Sequence, residues 1–256
     1  ARGIFEELAS VEPGVIRPKT FVYHVWESST YGFQRNAQQD VADFFSKLRG
    51  DISLSAGEPA EYLFRSIVRN IICHTDLSPD LLPLPNDAIA FDFQIHINAG
   101  DLQSGIERMG GEQNVEVTLR DKTKSSTCRR TTKLVSVSPV LVFQLMRFGF
   151  SGQGFKITDS FDFPFELSVS TLTDDGHSAL YALQSVVVHH GASSIADGHY
   201  TSYIRPVKPG TAYSNAPWFW CNDQTVQTVT PEYMMAQTKS NAYLLFYAAV
   251  STLSPA

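Results

Sequence analysis

The residues best suited to chemistry include a histidine that follows a loop of glycine and small residues. His199 comes directly after residues 191–198, GASSIADG, and begins a segment whose composition predicts a strand. A histidine in that place has a backbone fixed by a sheet and a ring that can face a cleft, which suits acid–base catalysis. Taken alone, however, a single histidine is more often an ordinary surface or core residue.

A second candidate group lies at the end of an aromatic segment, PWFWCND at 217–223. Asn222 or Asp223 could accept a hydrogen bond from one ring nitrogen of His199 and so fix its tautomer. That is the third role in a Cys-His-Asn or Cys-His-Asp triad. Taken alone, an Asn-Asp pair is a common way to start a turn. The residues themselves leave open which of the two would orient His199.

The elements that must position these groups are helical near the start of the chain and β-rich afterwards. Residues 36–49 predict an amphipathic helix, because Val41, Phe44, Phe45 and Leu48 follow the i, i+3, i+4, i+7 spacing. IFEEL at 4–8 predicts a shorter helix tail. Alternating or continuous apolar runs predict strands at 91–97, 115–119, 139–148, 179–189, 199–205, 217–222 and 242–249, with a hairpin tip at 151–154 and loops at 173–178 and 191–198. This order predicts an α+β fold with a long antiparallel β part.

Composition narrows the class of protein. The net charge of −6 argues against a nucleic-acid partner, whose phosphates require clustered Lys and Arg. No apolar run has the roughly 18 residues of a membrane helix, and no leader opens the chain, so we expect no membrane partner. Three widely spaced cysteines make a disulfide framework improbable and favour a reducing, intracellular location in the cytoplasm or nucleus. The chain lacks Gly-x-Ser-x-Gly and a close His/Glu pair, which disfavours a serine or metal hydrolase.

Six blocks in order resemble the ubiquitin-specific protease family, a group of deubiquitinating cysteine proteases. They are QQDVADFF at 38–45, LF at 63–64, LVFQLMRF at 141–148 followed by FKITDSFDFP at 155–164, VVVHHG…DGHYTSYIR at 186–205, WFWCND at 218–223 and NAYLLFY at 241–247. One block alone would be weak, but six in order along nearly the whole chain are specific.

The resemblance implies a fold and a domain plan. Members of the family have a papain-like cysteine-protease fold shaped as an open hand with thumb, palm and fingers. The expected division is a partial catalytic domain over 1–250, with an incomplete helical thumb over 1–60, fingers over 61–140, a palm with the histidine block over 141–250, and a tail over 251–256.

The resemblance also implies a reaction and its residues. Family members hydrolyse the bond after the C-terminal Gly-Gly of ubiquitin, so ubiquitin and ubiquitinated proteins are the expected partners, with no cofactor. His199 matches the general base, Asn222 the third triad member and Asp223 its polar neighbour. The positions expected to contact ubiquitin are Gln38, Asp40, Asp43, His189 and Tyr200.

Two departures from the family pattern concern cysteine. Cys73, Cys128 and Cys221 do not match the context of the family's nucleophile, which lies in a thumb helix upstream of the segment that 4–8 resembles. We therefore expect this chain to be a fragment that lacks its nucleophile and is inactive alone. The alternative is a catalytically dead ubiquitin-binding or scaffold protein. The second departure concerns the zinc site that many family members have at the tips of the fingers. Such a site needs four ligands, and two separated cysteines are too few, so we expect no metal.

Overall fold

The computed structural model describes residues 19–27, 31–33, 39–56, 61–121, 124–151, 153–170, 178–191, 198–206 and 216–250. Its α-helices are α1 (Lys19–Glu27), α2 (Val41–Ala56), α3 (Leu102–Gly110) and α4 (Pro231–Thr238), and short 3-10 helices span Pro79–Leu81 and Ile97–Ala99. None of the helices in this part of the chain combines the length and apolar character needed to cross a membrane.

Within the described residues, fourteen strands form two main sheets and a small hairpin. The strands are β1 (Ser66–Cys73), β2 (Asn86–Ala90), β3 (Phe93–His96), β4 (Gln113–Thr118), β5 (Ser125–Ser136), β6 (Val140–Met146), β7 (Phe148–Ser151), β8 (Gln153–Lys156), β9 (Glu166–Ser170), β10 (Ser178–His190), β11 (His199–Ile204), β12 (Trp218–Asn222), β13 (Thr225–Val229) and β14 (Ala242–Ala249). The large sheet has the order β13-β12-β11-β10-β14-β6-β3, with β9 also paired to β10. The small sheet has the order β2-β1-β5-β4, and β7 pairs with β8.

The main core lies against the large sheet, because its central strands are apolar on the side that packs inward. In β6, Leu141, Val142, Phe143 and Leu145 are all at most 2% exposed, as the continuous apolar run predicted. In β3, by contrast, Phe93 and Ile95 are buried whereas Gln94 and His96 are exposed, which is the alternation of a half-buried strand. The structure is thus α+β, as expected, with a sheet core that fixes the strands carrying His199 and Asn222.

Most predicted elements are confirmed, with shifted ends. The helix predicted over 36–49 is α2, which begins at Val41 and continues to Ala56. The predicted strands and the 151–154 hairpin are present, although residue 152 at its tip lies outside the described residues, as do 4–8, 173–177, 192–197 and the 251–256 tail. The sequence patterns did not predict several elements, namely α1, α3, α4, β1, β2, β5, β9 and β13.

One expectation about the sheet was wrong. The β part was predicted to be antiparallel, but β3 runs parallel to β6, with Phe93 opposite Phe143. A parallel pair requires a crossover connection, and here the chain between the two strands contains α3, β4 and β5. Residues 93–110, which fall inside the predicted fingers range, therefore belong to the large sheet and the helix that packs on it.

Candidate functional site

The structure brings His199 and Asn222 together at one end of the large sheet. His199 is the first residue of β11 and Asn222 the last of β12, the neighbouring strand. Nε2 of His199 lies 2.6 Å from Oδ1 of Asn222. In this arrangement Nε2 carries the proton and donates it to the amide oxygen, so Nδ1 keeps its lone pair. No described residue forms a hydrogen bond with Nδ1, which leaves that nitrogen available as a base.

Asp223, the other candidate for orienting His199, has a different role. Asn222 pairs with Thr225, so Asp223 and Gln224 form the two-residue turn between β12 and β13. Asp223 has a φ of 49°, a left-handed conformation that Asp and Asn tolerate better than most side chains. Its side chain is exposed and forms no hydrogen bond with His199, whereas that of Asn222 does.

His189 does not lie on the accessible surface that a direct ubiquitin contact requires. Its side chain is only 3% exposed and packs 4.8 Å from the ring of Tyr200, centroid to centroid. Gly198 closes over it, because a Cβ at that position would overlap the His189 imidazole. His189 therefore packs against Tyr200 from the protein interior, and Tyr200 is the residue of the two that remains partly accessible to solvent.

Tyr200 itself is held at the start of α2. The pKa of its hydroxyl is raised to about 12, because burial and the nearby Asp40 carboxylate both disfavour ionisation. Its ring also lies 6.3 Å from that of Tyr243. A neutral, fixed tyrosine next to His199 fits the wall of a narrow channel.

Asp40 is engaged by contacts within the chain. Its Oδ1 accepts hydrogen bonds from the backbone N–H groups of Ala42 (2.7 Å) and Asp43 (3.1 Å), so Asp40 is the N-cap of α2. Its Oδ2 accepts the hydroxyl proton of Tyr243 at 2.7 Å. Because Tyr243 belongs to β14, this carboxylate joins the helix to the large sheet.

Asp43 and Asp92 line the same cleft as Asp40. The cleft has a volume of about 340 Å³, and Gln144 and Tyr243 form part of its floor. Asp43 is exposed and lies 2.7 Å from the ammonium group of Lys47. Burial raises the pKa of Asp92, although the nearby Arg49 opposes that shift. Gln38, the remaining predicted contact, lies outside the described residues.

The cap at Asp40 gives a testable prediction about stability. Asp40→Ala removes the acceptor of two backbone N–H groups and of the Tyr243 hydroxyl, so the free energy of unfolding should fall by about 2 kcal/mol. Asp40→Asn keeps an amide oxygen for the cap and should lose less than half of that. Urea unfolding of both variants measures the difference. Equal losses would show that the cap contributes nothing.

The end of strand β10, next to His199, is fixed by a buried lysine. Lys156 is 7% exposed, and its ammonium group donates to the His189 carbonyl oxygen (2.5 Å) and to Oδ1 of Asn241 (3.0 Å). Burial lowers the pKa of Lys156, and the positive charge of Arg147 lowers it further. The residue therefore ties the β7–β8 hairpin to the strand that pairs with His199.

The three cysteines of the chain lie on strands of the two main sheets. Cys73 and Cys128 belong to the small sheet. Cys221 precedes Asn222 in β12, so its side chain points to the opposite face of the sheet. Burial raises the pKa of the Cys221 thiol, whereas a thiolate nucleophile needs a lowered one.

The positions of Cys73 and Cys128 bear on the expectation that the chain binds no metal. Cys73 is opposite Arg129 in the ladder, so Cys73 and Cys128 project from opposite faces of the small sheet. Cys128 is 1% exposed and packs with Leu82 and Leu119. Among the described residues, no group of three or more His, Cys, Asp or Glu side chains could hold a metal ion.

Comparison with known proteins now identifies the family. The sequence profile described as "Ubiquitin carboxyl-terminal hydrolase" matches residues 1–247, nearly the whole chain. The chain belongs to the ubiquitin carboxyl-terminal hydrolase family. Ubiquitin carboxyl-terminal hydrolase 7 of Caenorhabditis briggsae is 27% identical over 179 residues, which cover 61% of this chain and 15% of that protein. Ubiquitin carboxyl-terminal hydrolase 3 of Mus musculus is 47% identical over 70 residues, or 27% of this chain and 11% of that protein.

Solved structures show the same fold. The Ubp8-Sgf11-Sgf73-Sus1 SAGA DUB module includes a chain that superposes with a TM-score of 0.68 at 21% identity, covering 93% of this chain and 53% of that one. The SAGA Ubp8/Sgf11/Sus1/Sgf73 DUB module bound to ubiquitin aldehyde gives a TM-score of 0.68 at 20% identity, with coverages of 91% and 54%. This chain therefore shares the α+β fold of these modules and corresponds to about half of the matched chain's length.

Some residues of the site could not be identified from any local sequence pattern. Asp92 follows the pattern of an ordinary polar strand position, and only the parallel pairing of β3 with β6 brings it beside α2. Tyr243 is one aromatic residue among many in an apolar strand. Its contact with Asp40 joins residues 203 positions apart, a separation that no local pattern reveals.

Proposed function

We propose that the protein is a cysteine-type deubiquitinase that hydrolyses the peptide or isopeptide bond after the C-terminal Gly-Gly of ubiquitin. The observation that carries the proposal is the 2.6 Å hydrogen bond between Nε2 of His199 and Oδ1 of Asn222, in a chain of this family. His199 is the general base, Asn222 orients it, and Asp223 shapes the turn that follows. We further propose that the nucleophilic thiol comes from outside these 256 residues, so that the chain alone does not cleave.

The proposed chemistry uses the free ring nitrogen. Nδ1 of His199 takes the proton of the nucleophilic thiol, and the thiolate attacks the carbonyl carbon of the last glycine of ubiquitin. The C–N bond then breaks as the imidazolium returns its proton to the departing amine, which leaves a thioester. Water, deprotonated by the same nitrogen, attacks the thioester carbonyl, the C–S bond breaks, the imidazolium returns the proton to the thiolate, and ubiquitin leaves with a free carboxylate. Throughout, Asn222 accepts from Nε2–H and keeps the correct tautomer in place.

The acidic cleft supplies a place for the basic tail of ubiquitin. The carboxylates of Asp43 and Asp92 face it, and Asp40 contributes its charge although its oxygens already accept hydrogen bonds within the chain. Charge-assisted hydrogen bonds to arginine suit such a surface. Tyr200 forms the wall next to His199, where two glycines would pass with no side chains to obstruct them.

Ubiquitin binding and cysteine labelling by this chain test both parts of the proposal. We expect isothermal titration calorimetry to show that the chain binds ubiquitin. Ubiquitin that lacks its C-terminal Gly-Gly should bind at least about threefold more weakly, which corresponds to a loss of about 0.65 kcal/mol of binding free energy. A ubiquitin derivative with a C-terminal electrophile should form no adduct with the chain under the same conditions.

A pair of variants with the same change of charge distinguishes the cleft from general electrostatics. Asp43→Asn should weaken ubiquitin binding, whereas Glu107→Gln, an exposed carboxylate on α3, should not. Absence of ubiquitin binding would contradict the proposed function. An adduct at Cys73, Cys128 or Cys221 would contradict the assignment of the nucleophile, and binding without hydrolysis by the complete gene product would indicate a ubiquitin-binding scaffold.

A further inference from the structure

A second histidine lies directly beside the proposed base. His190, the last residue of β10, is the ladder partner of His199 on β11. The two imidazole rings are stacked, with centroids 6.4 Å apart and planes inclined by 29°. Asn222 approaches His199 from β12, the strand on the other side. His199 therefore forms a hydrogen bond with Asn222 of β12 on one side. On the other side its ring lies next to the ring of His190 of β10.

The His190 ring has its own anchor. Its Nε2 lies 2.7 Å from the hydroxyl oxygen of Thr201, which is 5% exposed and also belongs to β11. The backbone just before it is held by Lys156, which donates to the His189 carbonyl oxygen at 2.5 Å. A ring fixed at both its backbone and its polar edge limits the orientations that the adjoining His199 ring can take.

The surroundings of His190 favour its neutral form. Burial lowers the pKa of His190, and two cationic or protonatable groups lower it further: His199 on β11 and Lys156 on β8. No carboxylate of a described residue is among the groups that shift it. A neutral imidazole can stack on an imidazolium, whereas two adjacent imidazolium rings repel each other.

We propose that His190 is a positioning residue for His199: its neutral ring, anchored by Thr201, supports the side of the His199 imidazole that Asn222 leaves uncovered. The inference rests on the proposed role of His199 as the base. Protonation of His190 places a positive charge beside the imidazolium that forms during thiol activation. Protonation of His190 in acid should therefore slow the reaction.

The first test uses this chain and needs no activity. Long-range ¹H–¹⁵N spectra report which nitrogen of each histidine carries the proton. In the native chain, His199 should show a single Nε2–H tautomer at pH 7. In His190→Gln, which cannot stack or titrate in the same way, the His199 signals should broaden or report a mixture of tautomers. His96→Gln, a change of the same kind at an exposed position on β3, should leave them unchanged.

The second test follows the pH profile of the complete gene product with a fluorogenic ubiquitin amide. His190→Gln should lower kcat by about tenfold through misorientation, with KM changed less than about twofold. Its acid limb should fall less steeply than that of the native enzyme, because the proton that His190 takes up is absent. Thr201→Val, which removes only the anchor, should show a smaller loss of kcat in the same direction.

The two tests separate the failures. Unchanged His199 spectra in His190→Gln, or an acid limb identical to that of the native enzyme, would overturn the positioning role. If the native gene product does not release ubiquitin at all, the proposed function fails, and the spectra of this chain still decide whether His190 orients His199.

Discussion

Replacing Arg147 by methionine is expected to lower the free energy of unfolding by about 4 kcal/mol, since each buried polar group left without its hydrogen-bond partner costs about 1–3 kcal/mol. The Arg147 side chain is completely buried at the end of β6. Its guanidinium donates to four carbonyl oxygens, those of Ala242 (2.6 Å), Lys239 (2.6 Å), Asp159 (2.9 Å) and Ile157 (3.1 Å). Burial lowers the pKa of Arg147 to about 10, which leaves the group charged at neutral pH.

The size of the effect follows from what methionine would leave behind. It fills a similar volume but donates nothing, so one buried and three partly buried carbonyl groups would lose a charged donor at once. The loss is a large fraction of the 5–15 kcal/mol that typically holds a domain folded. These carbonyls connect β14, α4 and the segment after β8, so we expect the strand ends near His189 to loosen as well.

Urea unfolding of the 256-residue chain measures the change, with Arg129→Met as the matched control. Arg129 forms an ion pair with Glu112 in which both side chains are about half exposed, so its loss should cost less than about 1 kcal/mol. If Arg147→Met does not fold, Arg147→Lys provides the second measurement, because lysine keeps the charge but cannot reach four carbonyls. A cost below about 1 kcal/mol for Arg147→Met would contradict the role assigned to this network.

The elements with strong local periodicity were predictable from the sequence. The alternation of Phe93 and Ile95 with polar residues specified β3, and the continuous apolar run specified β6. The parallel pairing of these strands was not predictable, because it depends on how a connection of more than forty residues returns to the sheet. Helix α4 was not predictable for a different reason, because its apolar and polar residues do not separate onto two faces. Only Thr230, which caps the helix, and the following Pro231 mark its start.

The proximity of His199 to residues 222–223 was predictable, but the contacts that each residue makes were not. Residue type and order indicated His199 and Asn222 and could not choose between Asn222 and Asp223. That choice depends on the two-residue turn, which sends Asp223 into solvent while Asn222 stays in the ladder beside β11. Likewise His189 was placed at a binding surface, whereas its burial shows that it packs behind Tyr200, and the hydrogen bonds of the exposed Asp40 show that it also caps α2.

In the complete gene product, His199→Ala is expected to lower kcat/KM for ubiquitin release by about 10³-fold or more, because it removes the proposed general base. Asn222→Ala should lower it by about 10- to 100-fold, the usual effect of removing the group that orients a catalytic imidazole. Without the Oδ1 acceptor, His199 can place its proton on Nδ1, the nitrogen that must be free to act as the base. The loss should therefore lie in kcat, with KM for the ubiquitin substrate nearly unchanged.

The variant Asp223→Asn tests the division of roles between the neighbouring residues. An asparagine tolerates the positive φ at this turn as well as aspartate does, so the fold should be unchanged, and the exposed side chain makes no contact with His199. We expect its kcat/KM to stay within about twofold of the native value, since only groups that act in the transition state lower the rate. Loss of activity in Asp223→Asn comparable to that in Asn222→Ala would instead mean that the carboxylate stabilises the imidazolium during catalysis. A fully active Asn222→Ala would mean that His190 and the strand ladder orient His199 without the amide.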